Sequence, residues 1–146
     1  MKTLLAILAM LCATTVLADV PAKITDLKAA MKAAKSQGKL LFIQLGRESC
    51  VHCQALKSMI ASRKVQLPAS QYVYADVDCD DGSTKDLFVK HFQVYGSTLP
   101  FVVVAAPDGT QLAARSGDGS AKDYAGLLRD AQTAALKVEA RKAAKK

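Results

Sequence analysis

Leu40-Leu41-Phe42-Ile43-Gln44-Leu45, followed shortly by Cys50-Val51-His52-Cys53, is the stretch on which the reading of this chain turns. The first part is a short apolar run rich in branched side chains, which predicts a buried strand over residues 39–45. Beyond the cysteines, Leu56, Met59 and Ile60 recur at helical spacing to about Val65, and Pro68 closes the segment. Two cysteines with two residues between them therefore stand at a strand-to-helix junction. Such a pair can close into a disulfide or open to a dithiol. The first sulfur sits where unpaired helix N–H groups and the helix dipole favour a thiolate over a thiol. A thiolate is the species that attacks disulfides, so the placement points to redox chemistry.

The flanking pattern predicts an alternation of helices and strands. Ile24, Leu27, Met31 and Ala34 mark one face of a helix ending at Gly38, a natural residue for the left-handed turn after a helix. Tyr72-Val73-Tyr74-Ala75-Asp76-Val77 reads as a strand. Ser83 opens a helix, with Asp86 three residues on in the manner of a capping box, and Leu87, Phe88, His91 and Phe92 follow, His91 as a packed residue. Phe101 to Ala105 is a strand, Pro107-Asp108-Gly109 a turn, and Gln111 to Ala114 its hairpin partner. Ser120 starts the last helix, with Tyr124, Leu127, Leu128, Ala131, Ala135 and Val138 facing inward. The order is α-β-α-β-α-β-β-α. Helix-linked strands are expected as parallel neighbours, with the hairpin as an antiparallel edge. The fold class is thus α/β, a central mixed sheet with helices on both faces and the cysteine pair at the C-terminal end of a central strand, where sites form in open sheets.

The whole chain, 146 residues with 51% hydrophobic and 23% charged, suits one domain with one core. Met1-Lys2 gives a short positive start, Thr3 to Val16 is almost wholly apolar, and Ala18 is small, so residues 1–18 read as a signal peptide cleaved before Asp19. Cys12 is no lipid-attachment site, because bulky Leu11 precedes it. Export places the domain, residues 19–136, in the periplasm or outside the cell, with no stable membrane insertion after cleavage. Disulfides persist there, and a pair two residues apart closes too small a loop to staple a domain. Cys79 is left over, read as a free thiol among acids, with a regulatory or dimer-forming disulfide as the alternative. The net charge of +7 owes much to Lys137, Arg141, Lys142, Lys145 and Lys146, so residues 137–146 read as a basic, solvated tail. Aromatics are 5% and Trp is absent, which argues against a nucleic-acid partner.

With these pieces in order, the chain resembles the thioredoxin-like superfamily across residues 24–136, a three-layer α/β/α sandwich. Cys50-Val51-His52-Cys53 matches its redox motif, Thr98-Leu99-Pro100-Phe101 its cis-proline segment, and Gly117-Asp118-Gly119 the glycine turn facing that proline. The resemblance implies a Cys50–Cys53 disulfide, Cys50 as exposed nucleophile and Cys53 as buried resolving thiol. It implies a substrate groove formed by Val51, Leu99, Pro100 and Gly117. Partners would be protein thiols and disulfides together with a redox partner protein.

His52 tilts the chemistry toward oxidation or isomerisation. An imidazole beside the thiolate stabilises the reduced form, and a stabilised dithiol makes its disulfide a better oxidant. Gln44 departs from the family pattern, standing where an acid usually moves the proton of the second cysteine; an amide cannot act as that base. Glu48 or water is a substitute. Ser49 replaces the usual aromatic residue before the first cysteine. No cofactor or metal is expected. Asp76, Asp78, Asp80, Asp81 and Gly82 fail the spacing of a calcium loop, and a four-ligand zinc site lacks partners. The competing reading is a binding module without turnover, or a carrier of a soft metal such as Cu(I) on Cys50, His52 and Cys53.

Overall fold

The computed structural model describes residues 19–145; the signal-peptide reading of residues 1–18, and Cys12 with it, lies outside the described residues. The elements are β1 (Lys23–Ile24), α1 (Leu27–Gln37), β2 (Leu40–Gly46), α2 (Val51–Ala61), β3 (Tyr72–Asp78), α3 (Gly82–His91), β4 (Phe101–Ala105), β5 (Gln111–Ser116) and α4 (Ala121–Ala144). One five-stranded sheet has the order β1-β3-β2-β4-β5, with β2 at its centre.

Alternation along the strands assigns the two cores. Leu41, Ile43 and Leu45 of β2, with Val73, Ala75 and Val77 of β3, face α1 and α3 and pack with Leu27, Ala30, Ala34 and Phe88. Phe42, Tyr72, Tyr74, Val102 and Val104 face the other way, against Leu56 and Ile60 of α2 and Tyr124, Leu127, Leu128 and Ala131 of α4. Each of the large apolar side chains stabilises the fold by about 1.5–3 kcal/mol relative to exposure. Helices therefore cover both faces of a mixed sheet, as the sequence pattern requires.

Four details differ from expectation. Ile24 is not on the first helix: it pairs in parallel with Ala75 as part of β1, and Asp26 caps α1 by accepting from the Ala29 N–H. α3 is capped by Asp81, whose carboxylate accepts from the Ser83 N–H, so Ser83 lies inside the helix; the capping box is at Ser120 and Asp123, at the start of α4. α2 ends at Ala61, and Arg63 takes a positive φ of 61° just beyond it. His91 is exposed at the end of α3.

The third strand of the expected parallel set is reversed. β3 runs parallel to β2, but β4 runs antiparallel to it, pairing Leu45 with Phe101 and Leu41 with Ala105. The reason lies in residues 92–100. The Gln93 N–H donates to the side chain of Gln111 at the start of β5, the Tyr95 hydroxyl donates to the Ala114 carbonyl, and the Thr98 carbonyl accepts from Gly117 at the end of β5. The chain thus returns along the length of β5 after α3, and it enters β4 from the end at which β3 left the sheet. Two crossings instead of one reverse the strand.

The stretch read as a tail continues α4 as helix to Ala144. Its residues from Glu139 on are exposed, yet Lys142 Nζ reaches Asp108 of the β4–β5 turn at 2.9 Å. Alanine and lysine are strong helix formers, and no Gly or Pro interrupts the run.

Candidate active site

β2 ends in Gly46 and the chain turns through Arg47-Glu48-Ser49 into α2, with Cys50 as its N-cap. The Cys53 N–H donates to Cys50 Sγ at 3.1 Å. The sulfur of Cys50 therefore occupies the place a capping oxygen would take, at the positive end of the helix, where negative charge is stabilised. Cys50 is half-buried and Cys53 fully buried. The two are joined as a disulfide with Cα atoms 5.2 Å apart. Val51, 77% exposed, and His52 stand outward on the first turn of α2.

The pairing of Leu45 with Phe101 brings the end of β2 beside the start of β4, and so brings Pro100 to the cysteine end of the sheet. The Leu99–Pro100 peptide is cis, Pro100 is buried and Leu99 half-buried. Among the described residues no backbone hydrogen bond engages Leu99. The Gly117 N–H donates to the carbonyls of both Thr98 and Pro100 at 3.0 Å, and Ser116 Oγ also donates to Thr98. Gly117 has a φ of 86°, and an added Cβ would meet the Thr98 side chain at 3.4 Å, so a side chain there would be strained by the backbone itself. One residue on, Asp118 Oδ2 lies 3.8 Å from His52 Nδ1, linking the glycine turn to the first turn of α2.

Beneath the disulfide lies Gln44, fully buried. Its amide donates to the Cys53 carbonyl at 2.9 Å, and its oxygen accepts from the Tyr74 hydroxyl at 3.1 Å. Burial, helped by the nearby Asp76 carboxylate, pushes the Tyr74 phenol well above its ordinary range, so it stays protonated and remains a donor. Gln44 is thus a strut that fixes the first turn of α2 to the sheet.

Around this centre the structure adds residues that the sequence pattern passed over. Gly46 carries no side chain where Cys53 needs the room: a Cβ there would lie 2.6 Å from Cys53 Sγ. A glycine closing an apolar run, just before the cysteines, was the available signal. Arg47 Nη2 donates to Cys79 Sγ at 3.4 Å and pairs with Asp80 at 3.0 Å. Cys79 is a free, half-buried thiol tied to the site by its N–H, which donates to the Gly46 carbonyl. The acids read against a calcium loop have separate tasks. Asp78 accepts from the Asp80 N–H, Asp81 caps α3 through Ser83 and Thr84, and Asp76 pairs with Lys57 and Lys23. Asp78, Cys79 and Asp80 do bring three ligand atoms within 4.8 Å of one another. His91 does not join the site; its ring lies against Phe92 instead.

A family model described as thioredoxin-like matches residues 22–107, which include both cysteines and Pro100. Among solved structures, the chain is similar to a mutant thioredoxin from Halobacterium salinarum, with 19% identity and a TM-score of 0.55 over 75% of this chain and 89% of that one. It is also similar to the germline-specific thioredoxin Deadhead from Drosophila melanogaster, with 18% identity and a TM-score of 0.56 over 74% and 96%. Thioredoxin f from spinach chloroplast matches at 18% identity, with a TM-score of 0.51 over 77% and 84%. Among curated proteins none matches at a significant level. The match over residues 22–107, joined to the sheet order and the paired cysteines, makes this chain a member of the thioredoxin-like family.

Proposed function

We propose that this protein is an exported thiol–disulfide oxidoreductase that exchanges disulfides with protein substrates. One observation carries the reading: Cys50 Sγ, half-buried at the N-terminus of α2, accepts the Cys53 N–H while Cys53 itself is fully buried. One sulfur is presented in a setting that favours its thiolate, and the second is held within reach to resolve what the first captures. Intramolecular placement makes that second step fast, because the attacking group is already positioned.

The substrate strand lies against Val51, Leu99, Pro100 and Gly117, with the unengaged backbone of Leu99 as its partner. His52 favours the thiolate form of Cys50 and makes the disulfide the more readily reduced state, so oxidation or isomerisation of substrates is favoured over their reduction. The apolar segment after Met1-Lys2, ending at Ala18, supports export to the periplasm or beyond, where a redox partner protein resets the pair.

The decisive measurement is the Cys50–Cys53 reduction potential against glutathione. A value nearer about −120 mV than about −270 mV identifies an oxidant on the scale of such pairs. A Cys53→Ser variant should trap substrate proteins on Cys50 as mixed disulfides in cells. Absence of trapping, together with no oxidising, isomerising or insulin-reducing turnover, would sink the reading; tight Cu(I) binding without exchange would then favour a carrier.

A further inference from the structure

Resolving a mixed disulfide requires Cys53 to lose a proton, and the residue directly beneath it, Gln44, cannot take one. A suitable group stands one strand away. Gln44 pairs in parallel register with Asp76, so the two side chains are neighbours on the face of the sheet that α2 covers. Asp76 has a side chain only 9% exposed. Lys57, one helical turn after Cys53, holds its carboxylate at 2.8 Å, and Lys23 of β1 lies at 3.4 Å. Asp76, Lys57 and Lys23 line an open cleft of about 440 Å³ whose wall includes Gly46 and Gln54. Gly46 is where the missing Cβ leaves Cys53 Sγ in the space a side chain would fill. The cleft therefore runs from the Asp76 carboxylate to Gly46, the residue against which the buried Cys53 Sγ packs, with room for water and polar partners on its walls to hold that water.

We infer that Asp76, held by Lys57, accepts the Cys53 proton through the water of this cleft when Cys53 resolves a mixed disulfide. The inference rests on the redox reading above. In the step, the Cys53 S–H bond breaks and its proton passes to the Asp76 carboxylate. The Cys53 thiolate then attacks Cys50 Sγ, the Cys50–Cys53 bond forms, and the bond from Cys50 to the substrate sulfur breaks. The substrate leaves as a thiolate and takes up a proton from solvent, so the pair is oxidised and the substrate reduced. In the opposite direction Asp76 returns the proton to Cys53. Two other carboxylates border the cleft, but Glu48 is exposed in the turn, and Asp78 is exposed and already accepts the Asp80 N–H. The charged and titratable groups that face Asp76 are Lys57 from α2, Lys23 from β1 and Tyr74 along β3, with Arg47, Glu48 and Asp78 at the cleft mouth.

The test uses the full chain, reduced, in a Cys12→Ser/Cys79→Ser background, mixed with 5,5′-dithiobis(2-nitrobenzoate). The first thionitrobenzoate leaves when Cys50 attacks, and the second leaves when Cys53 resolves the adduct. At neutral pH, Asp76→Asn should slow the second release roughly a hundred-fold while the first stays within about two-fold of the parent. The difference should close between about pH 8 and 10, as Cys53 ionises without help. Asp76→Glu should recover most of the second step, and Asp76→Ser repeats the comparison should the asparagine variant not fold. A second release that matches the parent at every pH overturns the assignment, and so does a parallel loss of both releases, which would mark a structural role. A parent protein that never gives the second release overturns the redox reading itself. A parent that gives it while Asp76→Asn keeps pace overturns the role of Asp76 alone.

Discussion

The Gln44 side-chain amide donates to the Cys53 carbonyl at 2.9 Å from a position with no solvent exposure, so the reactive turn is bolted to the central strand by a group that carries no charge. The same side chain accepts the Tyr74 hydroxyl. Replacing Gln44 by Leu removes both bonds and leaves a buried phenol without its acceptor. The expected loss is about 2 kcal/mol of stability, read as a lower urea midpoint with an unchanged slope. A Tyr74→Phe change in that background should restore part of the loss, because the orphaned donor is gone. An unchanged midpoint in Gln44→Leu would show that the strut contributes nothing.

Gly46→Ala tests the space above the strand end. The new methyl would lie 2.6 Å from Cys53 Sγ and 3.2 Å from its Cβ, so Cys53 and the turn that carries it must move. Overpacking of this kind costs about 1–3 kcal/mol. It should destabilise the oxidised protein more than the dithiol, whose sulfur is free to rotate away. Thermal melts of both forms decide the matter; equal losses would place the clash elsewhere.

His52→Pro separates the imidazole from its place in the chain. His52 is in the first turn of α2, where proline is tolerated, so the helix should survive. Without the imidazole the dithiol loses stabilisation, and the potential should fall by at least about 30 mV, a tenfold change in the equilibrium constant. Asp118→Ala, which removes the carboxylate 3.8 Å from His52, should move the potential less, because both groups are exposed. A potential unmoved by His52→Pro would remove His52 from the redox balance.

Asp108 offers a test by pH. Hydrogen bonds from Lys142 and from the Thr110 backbone hold its carboxyl down to about 2, from an ordinary value of 3.8. A carboxyl whose folded value is depressed stabilises the fold fully above its unfolded value, and that contribution disappears as the pH falls through the folded one. The pair is largely exposed, so Lys142→Ala should lower stability only slightly at pH 6. The gap between the variant and the parent should shrink from about pH 4 downward and close only below about pH 2, as the pH falls through the folded value. A gap that persists at the lowest pH would mean that Lys142 acts through helix propensity instead of through Asp108.

What the sequence made legible followed from short-range physics. The apolar run from Leu40 to Leu45, the β-branched and aromatic stretch from Tyr72 to Val77 and the Ser120 start of α4 are each set by neighbours within a few residues. The cysteine pair at a helix start could be read in the same way. The reversal of β4 could not, because it depends on residues 92–100 running beside β5, a pairing of segments about 18 residues apart in sequence. β1 was hidden for a related reason: two residues carry no periodicity, and only β3 makes Lys23 and Ile24 a strand. Within the site, Gln44 showed that the usual acid was missing, but the carboxylate beside it belongs to another strand. Only the register of β2 against β3 brings Asp76 next to Gln44.

The unequal burial of the two sulfurs has a consequence for traffic through the site. Cys50 is half-buried and Cys53 fully buried, with Gly46 and Gln44 behind it. Every passenger must therefore board and alight at the same outer sulfur, while the inner one acts only as the latch that ejects it. A single door means that two partners cannot be docked at once. Under the proposed function, a substrate protein and the protein that resets the pair would have to take turns, each competing with the other for the same small surface.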